Sequence, residues 1–418
     1  MKIRGFIVNI CKNDLNILKD MAKRQKEIAE SNYMSDLKQK WLLHNTLKGE
    51  KPMVTVELAS FAGDILPQML RCSNDDARNL EWMLLSNIVN HELFKDDTVV
   101  KNYIPVSYGM WFFPFSLEVK IDNSHFNENS IGNHFVPQIN DLQKDFYKLK
   151  KSSFGCDKDS YKAQVEYFNE IFGDILPAKL TGISLVASPM QNVIHLMDMQ
   201  TTFMAMYDYP DLFKEMMENL SNDYLEYFDL LEKEKVLLPT NYDHHVAQGT
   251  VAFTDELPSD KAETTKALWG YLDSQETVGI SSEMYEEFVF PYYKKISDRY
   301  GLLSYGCCEG VDFIWNSCLS KLSNLRKLSI SSWCNEEVMG DKLAGTKVIY
   351  HRKPNPTFLG VGNALDEDGL REHIAFTLRC AKDCKVEFSQ RDVYRVSKSP
   401  EKVKRYVEII REEINKVF

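Results

Sequence analysis

The chain has 418 residues, 44% apolar and 12% aromatic, enough to bury a large core as one decorated barrel or as two domains. Its 50 Lys and Arg against 61 Asp and Glu leave a net charge of −11 with no basic block, which argues against nucleic-acid and anionic-membrane partners and for small molecules or another protein. Nine cysteines without the dense spacing of a secreted disulfide scaffold read as reduced thiols, and Met1 to Ile10 hold a short apolar patch without a cleavage site or a long apolar span, so a cytoplasmic location is expected.

Residues 11–50 carry Leu15, Leu18, Met21 and Ile28 among many charges and stop at Gly49 before Lys51-Pro52, the pattern of a helical cover. Met53 to Leu58 follow a proline and are β-rich, which predicts a first strand with Glu57 near its C-terminal end. From Trp111 to about Ser160 the text turns to aromatics, an alternating run and Asn-rich loops around Asn123 and Asn133, read as an insertion serving as a lid or an oligomer contact.

Beyond it, short apolar runs alternate with amphipathic helices, the rhythm of βα units on a parallel sheet. Leu180 to Met197 is a mixed apolar run. Tyr209-Pro210-Asp211 opens a helix, Val236 to Glu276 reads as a long functional loop, and Ser281-Ser282 caps a helix that Pro291 kinks. Leu302 to Tyr305, Leu325 to Ser331, Lys347 to His351 and Lys385 to Ser389 read as four consecutive strands whose polar ends share one face, and Ser399-Pro400 starts the last helix. The expected architecture is α/β: a (β/α)8 TIM barrel over 51–418, with an N-terminal helical cover over 1–50 and an inserted segment at about 111–160.

Chemistry-bearing side chains gather at the strand ends, where barrel enzymes keep their sites. Cys307, Cys308 and Glu309 follow one strand, and thiolates and carboxylates both bind zinc. Side-chain alternation along a strand predicts that one cysteine alone enters the barrel. Cys334, His244, His245 and Glu276 are further ligand or acid–base candidates from neighbouring loops. Arg352-Lys353-Pro354-Asn355-Pro356 and Gln390-Arg391-Asp392 place cations at two more strand ends, suited to a carboxylate, a phosphate or a corrinoid side chain. Trp111, Phe112, Phe113, Phe115, Trp269 and Trp333 are candidates for an apolar pocket, whereas Cys380 and Cys384, one helical turn apart with no further ligand nearby, read as packing.

Tyr209-Pro210, Phe290-Pro291-Tyr292, the strand end Tyr305-Gly306-Cys307-Cys308-Glu309 and Ser399-Pro400-Glu401-Lys402-Val403 resemble, in this order, the uroporphyrinogen decarboxylase superfamily, well over residues 170–418 and loosely over 1–110. That family's decarboxylases carry an arginine-bearing segment after the first strand, where this chain has Pro52 to Glu57 and Phe61-Ala62-Gly63-Asp64 without one, which argues against a polycarboxylate porphyrinogen. The chain is closer to the cobalamin-dependent methyltransferase branch, which places a His-x-Cys pair and a later cysteine on zinc. Here Cys307 and Cys308 match the first cysteine's strand without the histidine, and Ser389 to Asp392 stand where the later cysteine falls.

The resemblance therefore implies a methyltransferase working between a small methylated or methoxylated compound, or a thiol, and a corrinoid carried by a partner protein. Zinc would be held by Cys307, Cys308 and Cys334; Glu57, His245, Glu276 and Glu309 would be catalytic; Trp269, Arg352, Lys353, Gln390 and Arg391 would bind substrate or cofactor. The alternatives are a lyase or decarboxylase of a small acid, clamped by Arg352, Lys353 and Arg391 with Glu57 or Asp243 moving the proton, and a non-enzymatic tetrapyrrole or corrinoid carrier.

Overall fold

The computed structural model describes residues 2–3, 6–7, 10–124 and 132–418; positions 125–131, in the middle of the expected insertion, lie outside the described residues, as do five of the first nine. Seven short strands form the main sheet: Met53–Val56 (β1), Leu185–Ala187 (β2), Trp269–Leu272 (β3), Leu302–Tyr305 (β4), Leu325–Ile330 (β5), Ile349–Arg352 (β6) and Val386–Gln390 (β7). Their order is β1-β7-β6-β5-β4-β3-β2, and every pairing is parallel. All strands but β2 are buried at every position, as a parallel sheet covered on both faces requires.

The four consecutive strands expected from sequence are β4 to β7. β2 and β3 were hidden inside the mixed apolar run and the long loop, because Gly270 in Trp269-Gly270-Tyr271-Leu272 reads as a breaker. In the structure it admits the ring of Tyr300, which a Cβ there would meet at 2.1 Å.

The expected closed eight-stranded barrel is not seen as such: among the described residues, the backbone ladder is open between β1 and β2. Side chains occupy the free edge of β1. The N–H groups of Val54 and Val56 donate to Asp97 and Asp96, each at 2.8 Å, and Asn90 donates to the Val56 carbonyl at 2.7 Å. These carboxylates satisfy the backbone donors a neighbouring strand would otherwise take. Just upstream of β2, Ala178–Leu180 pairs in parallel with Ile104–Val106.

The sheet is nevertheless curled, and a hairpin shows it. Val246 donates to the Thr250 carbonyl and Thr250 to that of Ala247, both at 2.9 Å, with the two central turn residues at positive φ (Gln248, 51°; Gly249, 79°). That is the backbone of a tight two-residue hairpin turn. Its backbone carbonyls accept from around the sheet: Ala252 from Trp269 (β3) at 2.8 Å, Val251 from Lys327 (β5) at 3.1 Å, Gly249 from Ser389 (β7) at 3.3 Å. Three strands separate β3 from β7 in the ladder, yet both reach this one turn, so the strands wrap around it. A closed barrel normally fills its interior with branched apolar side chains; this curled sheet holds a piece of backbone whose carbonyls are met by polar side chains of the strands.

Lys12–Ala29 (α1) and Asn32–Asn45 (α2) are the helices of the N-terminal segment. Asn45 of α2 donates to the Val251 and Phe253 carbonyls at 2.9 and 2.8 Å, and His44 meets Glu387 of β7 at 3.1 Å, so α2 stands under the hairpin. Pro210–Glu234 (α3) is the helix opened by Tyr209-Pro210, and Pro400–Ile414 (α4) begins with Ser399 accepting from the Lys402 N–H at 3.1 Å. The expected kink is a break: Ser282–Phe288 and Phe290–Ser297 are separate helices that meet at Val289. In the insertion, Gly109–Phe113 pairs antiparallel with Ser153–Asp157, and Phe112 stacks on Tyr224 of α3 at 4.1 Å.

Candidate functional site

β4 ends at Tyr305, and Gly306 follows at φ +96°, with Ser329 of β5 3.0 Å from where its Cβ would stand. An L side chain there would be both strained and crowded. The turn cancels the strand alternation that predicts a single inward-facing cysteine. Both cysteines face one cavity, with the Cys307 and Cys308 sulfurs 3.4 Å apart.

Glu309 fixes this loop. Its Oε2 accepts from the Cys307 N–H at 2.8 Å and its Oε1 from the Ser274 N–H, just after β3, at 3.0 Å. Burial, with Asp273 nearby, raises its pKa. Its oxygens are thus placed as a backbone clamp between two loops.

The cavity holds about 340 Å³, the lower end for a small-molecule site, and sits beyond the C-terminal ends of β4 to β7. Two cations enter it. Arg391, after β7, donates to Glu57 at 2.7 Å and lies 3.6 Å from the Cys307 sulfur. Lys353, after β6, is 5% exposed and donates to the Gln248 carbonyl at 3.0 Å, the hydrogen-bond acceptor found for it among the described residues. Burial lowers its pKa, and Arg391 adds to the effect. The hairpin tip thus belongs to the site, since the Gln248 side chain also accepts from Cys307 at 3.3 Å. Cys308 donates to Asp392 at 3.0 Å; its Cys307 neighbour, burial and that carboxylate all push its thiol pKa upward. Trp333, 81% exposed, stands at the rim with Pro354 and Pro356, and a cleft of about 380 Å³ continues past Asp392 to Tyr394.

Several expected residues lie elsewhere. Arg352 and Gln390 precede the cavity-facing Lys353 and Arg391 by one position, so alternation turns them outward. Arg352 pairs with Glu336 at 2.5 Å and donates to the Ile330 and Ser331 carbonyls, while Gln390 accepts from Tyr406 of α4. An anion clamp that includes Arg352 is therefore not assembled. Trp269 is fully buried against the hairpin, and Phe112 packs on α3, leaving Trp333 as the expected aromatic found at the cavity.

Glu276 is buried outside the cavity lining, one of its oxygens has no hydrogen-bond partner among the described residues, and burial beside Asp273 raises its pKa to about 7. His245 is exposed to solvent and lies outside the cavity lining. His244 accepts from the Ser184 N–H at 3.1 Å, and Asp243 accepts from Tyr103 at 2.5 Å.

The expected metal set is tested by Cys334. Its sulfur accepts from the Val311 N–H at 3.4 Å and lies 3.7 Å from the Glu309 carbonyl, beneath the loop that presents the other two, and burial pushes its pKa up to about 11. No group of three or more His, Cys, Asp or Glu side chains able to hold a metal ion occurs among the described residues. Cys307, Cys308 and Cys334 thus do not fit a shared zinc ion. Gln248 is the residue that reading the sequence missed; the signal was Gln-Gly between Val246-Ala247 and Thr250-Val251, a two-residue hairpin dipeptide inside a presumed loop.

Neither a protein-family model nor a curated protein sequence matches the chain. Among solved structures it is similar to a methyltransferase from Methanosarcina mazei, with a TM-score of 0.51 at 12% identity over 90% of this chain and 98% of that one. It is less similar to a candidate vitamin-B12-independent methionine synthase from Listeria monocytogenes, with a TM-score of 0.32 at 11% identity over 64% of this chain and 72% of that one. At such identities the first likeness shows the fold alone, and the second carries no argument. No helix among the described residues is long and apolar enough to cross a membrane.

Proposed function

We propose that the protein is a methyltransferase on a barrel of the uroporphyrinogen decarboxylase type, and that it exchanges a methyl group between a small methylated compound or thiol and a corrinoid carried by a partner protein. The observation that carries this reading is the pairing of two thiols with two cations in one small cavity at the strand ends. Methyl transfer to or from sulfur is a displacement at carbon. The cavity supplies what this chain can contribute to such a step: polarizable sulfur against the methyl group, and fixed positive charge for the anionic end of the substrate or for a thiolate.

Lys353 anchors an anionic group through the donors that the Gln248 carbonyl leaves free. Arg391, held by Glu57, faces the Cys307 sulfur. A cavity of about 340 Å³ admits a small molecule rather than a macrocycle, so a corrinoid would lie across the rim at Trp333, carried by its own protein. No step here runs through zinc, since the three expected cysteines do not converge.

The test is demethylation of methylcobalamin by the purified protein in the presence of small thiols, followed by visible absorbance, with methoxylated aromatics assayed in the reverse direction. Cys307→Ser is expected to lower the rate by about 10²-fold or more, while Cys380→Ser leaves it unchanged. The same cations also favour a second reading, a lyase acting on a small carboxylic acid. Carbon dioxide release without any change in the cobalamin spectrum would select it.

A further inference from the structure

We propose that Cys307 and Cys308 form a reversible redox pair, closed to an intramolecular disulfide by a low-molecular-weight disulfide that enters the cavity. This goes beyond the methyl-transfer reading and stands without it. Adjacent residues on a strand point apart, yet here the turn at Gly306 brings both sulfurs to the same cavity, 3.4 Å from each other. The clamp by Glu309 holds the Cys307 backbone in place, and both side chains are free thiols.

The partners around the pair suit thiol–disulfide exchange. Arg391, 3.6 Å from the Cys307 sulfur, offers positive charge to an attacking or departing thiolate, and Asp392, 3.0 Å from the Cys308 sulfur, lies where the Cys308 proton must go. In the first step Cys307, as thiolate, attacks one sulfur of the small disulfide; that S–S bond breaks, one thiolate leaves and takes a proton, and Cys307 carries a mixed disulfide. In the second, Cys308 gives its proton to Asp392 and attacks the Cys307 sulfur, expelling the second small thiolate, which is protonated in turn. Two protein thiols are oxidised and one small disulfide is reduced to two thiols.

Geometry makes the product labile. Consecutive Cα atoms across a trans peptide stand about 3.8 Å apart, short of the roughly 4.4–6.8 Å that unstrained disulfides span. A strained disulfide has a more oxidising potential and is easily reduced, so the pair behaves as a reversible modification site. Where the cavity performs methyl transfer, closing the ring removes both sulfurs from it.

The experiment uses the full chain, 2-hydroxyethyl disulfide as the probe, and peptide mapping by mass spectrometry. The expected result is that the peptide carrying Cys307 and Cys308 loses two hydrogens in mass without an adduct, fragmentation places the bond between those two residues, and dilute dithiothreitol restores both thiols. Cys308→Ser is expected to retain a stable hydroxyethylthio adduct on Cys307. A stable adduct on Cys307 in the unmodified sequence, or reaction confined to the exposed Cys11 with Cys307 and Cys308 still free, overturns the proposal. Since the readout is mass and not turnover, its failure and that of the methyl-transfer reading are separately visible.

Discussion

Glu309 and Glu276 illustrate two uses of a buried carboxylate beyond the C-terminal ends of β3 and β4. Glu309 accepts one backbone N–H with each oxygen, and Glu309→Gln places an amide NH2 against one of those donors. The expected loss is about 1–3 kcal/mol in denaturant melts, with slower turnover because the Cys307 backbone is released. Glu276 has an orphaned oxygen and a folded-state pKa raised to about 7 by burial and by Asp273. Its native state therefore holds a proton that the unfolded chain releases near its ordinary value. The stability this gives is fully present below that value and is lost as pH rises towards 7. Glu276→Gln has no proton to lose, so it should gain on the wild type between pH 5 and pH 8 by up to roughly 3 kcal/mol, at about 1.4 kcal/mol per unit. Parallel pH profiles for the two proteins would show that Glu276 is ionised throughout.

The element that organises the site is the hairpin at 246–250, and its turn tolerates little. Gly249 sits at φ +79° with Ser389 3.0 Å from where its Cβ would stand. Gly249→Ala is expected to lose about 1–2 kcal/mol from backbone strain alone, and to slow turnover further by shifting the Gln248 contacts to Cys307 and Lys353. An unchanged rate would place the tip outside the working site. The strands β4 to β7 were legible because each is an apolar run ending in polar residues, and the helices because Ser281, Ser399 and Pro210 mark their starts. The cysteines, Lys353 and Arg391 followed from their place after strand ends. What stayed hidden was set by long-range packing. The hairpin's Val246, Val251 and Ala252 are buried against distant residues such as Trp41 and Trp269 rather than in a local pattern, β3 is interrupted by a glycine that Tyr300 explains, and the outward turn of Arg352 depends on where β6 stops.

At the scale of the whole molecule, enclosing a hairpin requires a charged interior, and Lys327 and Glu387 lie at its centre, both with side chains 1% exposed or less. Lys327 donates to both Glu387 oxygens, at 3.0 and 2.8 Å, and to the Val251 carbonyl, while His44 and His351 meet the same carboxylate at 3.1 and 3.3 Å. Burial alone would raise the Glu387 pKa; Lys327 and the two histidines override it and hold the group below its ordinary range. The histidines are themselves lowered by burial, so Lys327 is the cation that matters near neutrality. Lys327→Met leaves a buried carboxylate without its ammonium and frees a hairpin carbonyl, for an expected loss of about 3–5 kcal/mol at pH 8. The sign of the pH dependence then follows. In the wild type Glu387 binds no extra proton between pH 8 and pH 5, whereas in the variant the isolated carboxylate takes one up in the folded state, so the native form recovers as pH falls. Denaturant melts at both pH values should therefore show a smaller deficit at pH 5 than at pH 8. Equal deficits would mean that Lys327 acts through the Val251 carbonyl and not through the charge of Glu387.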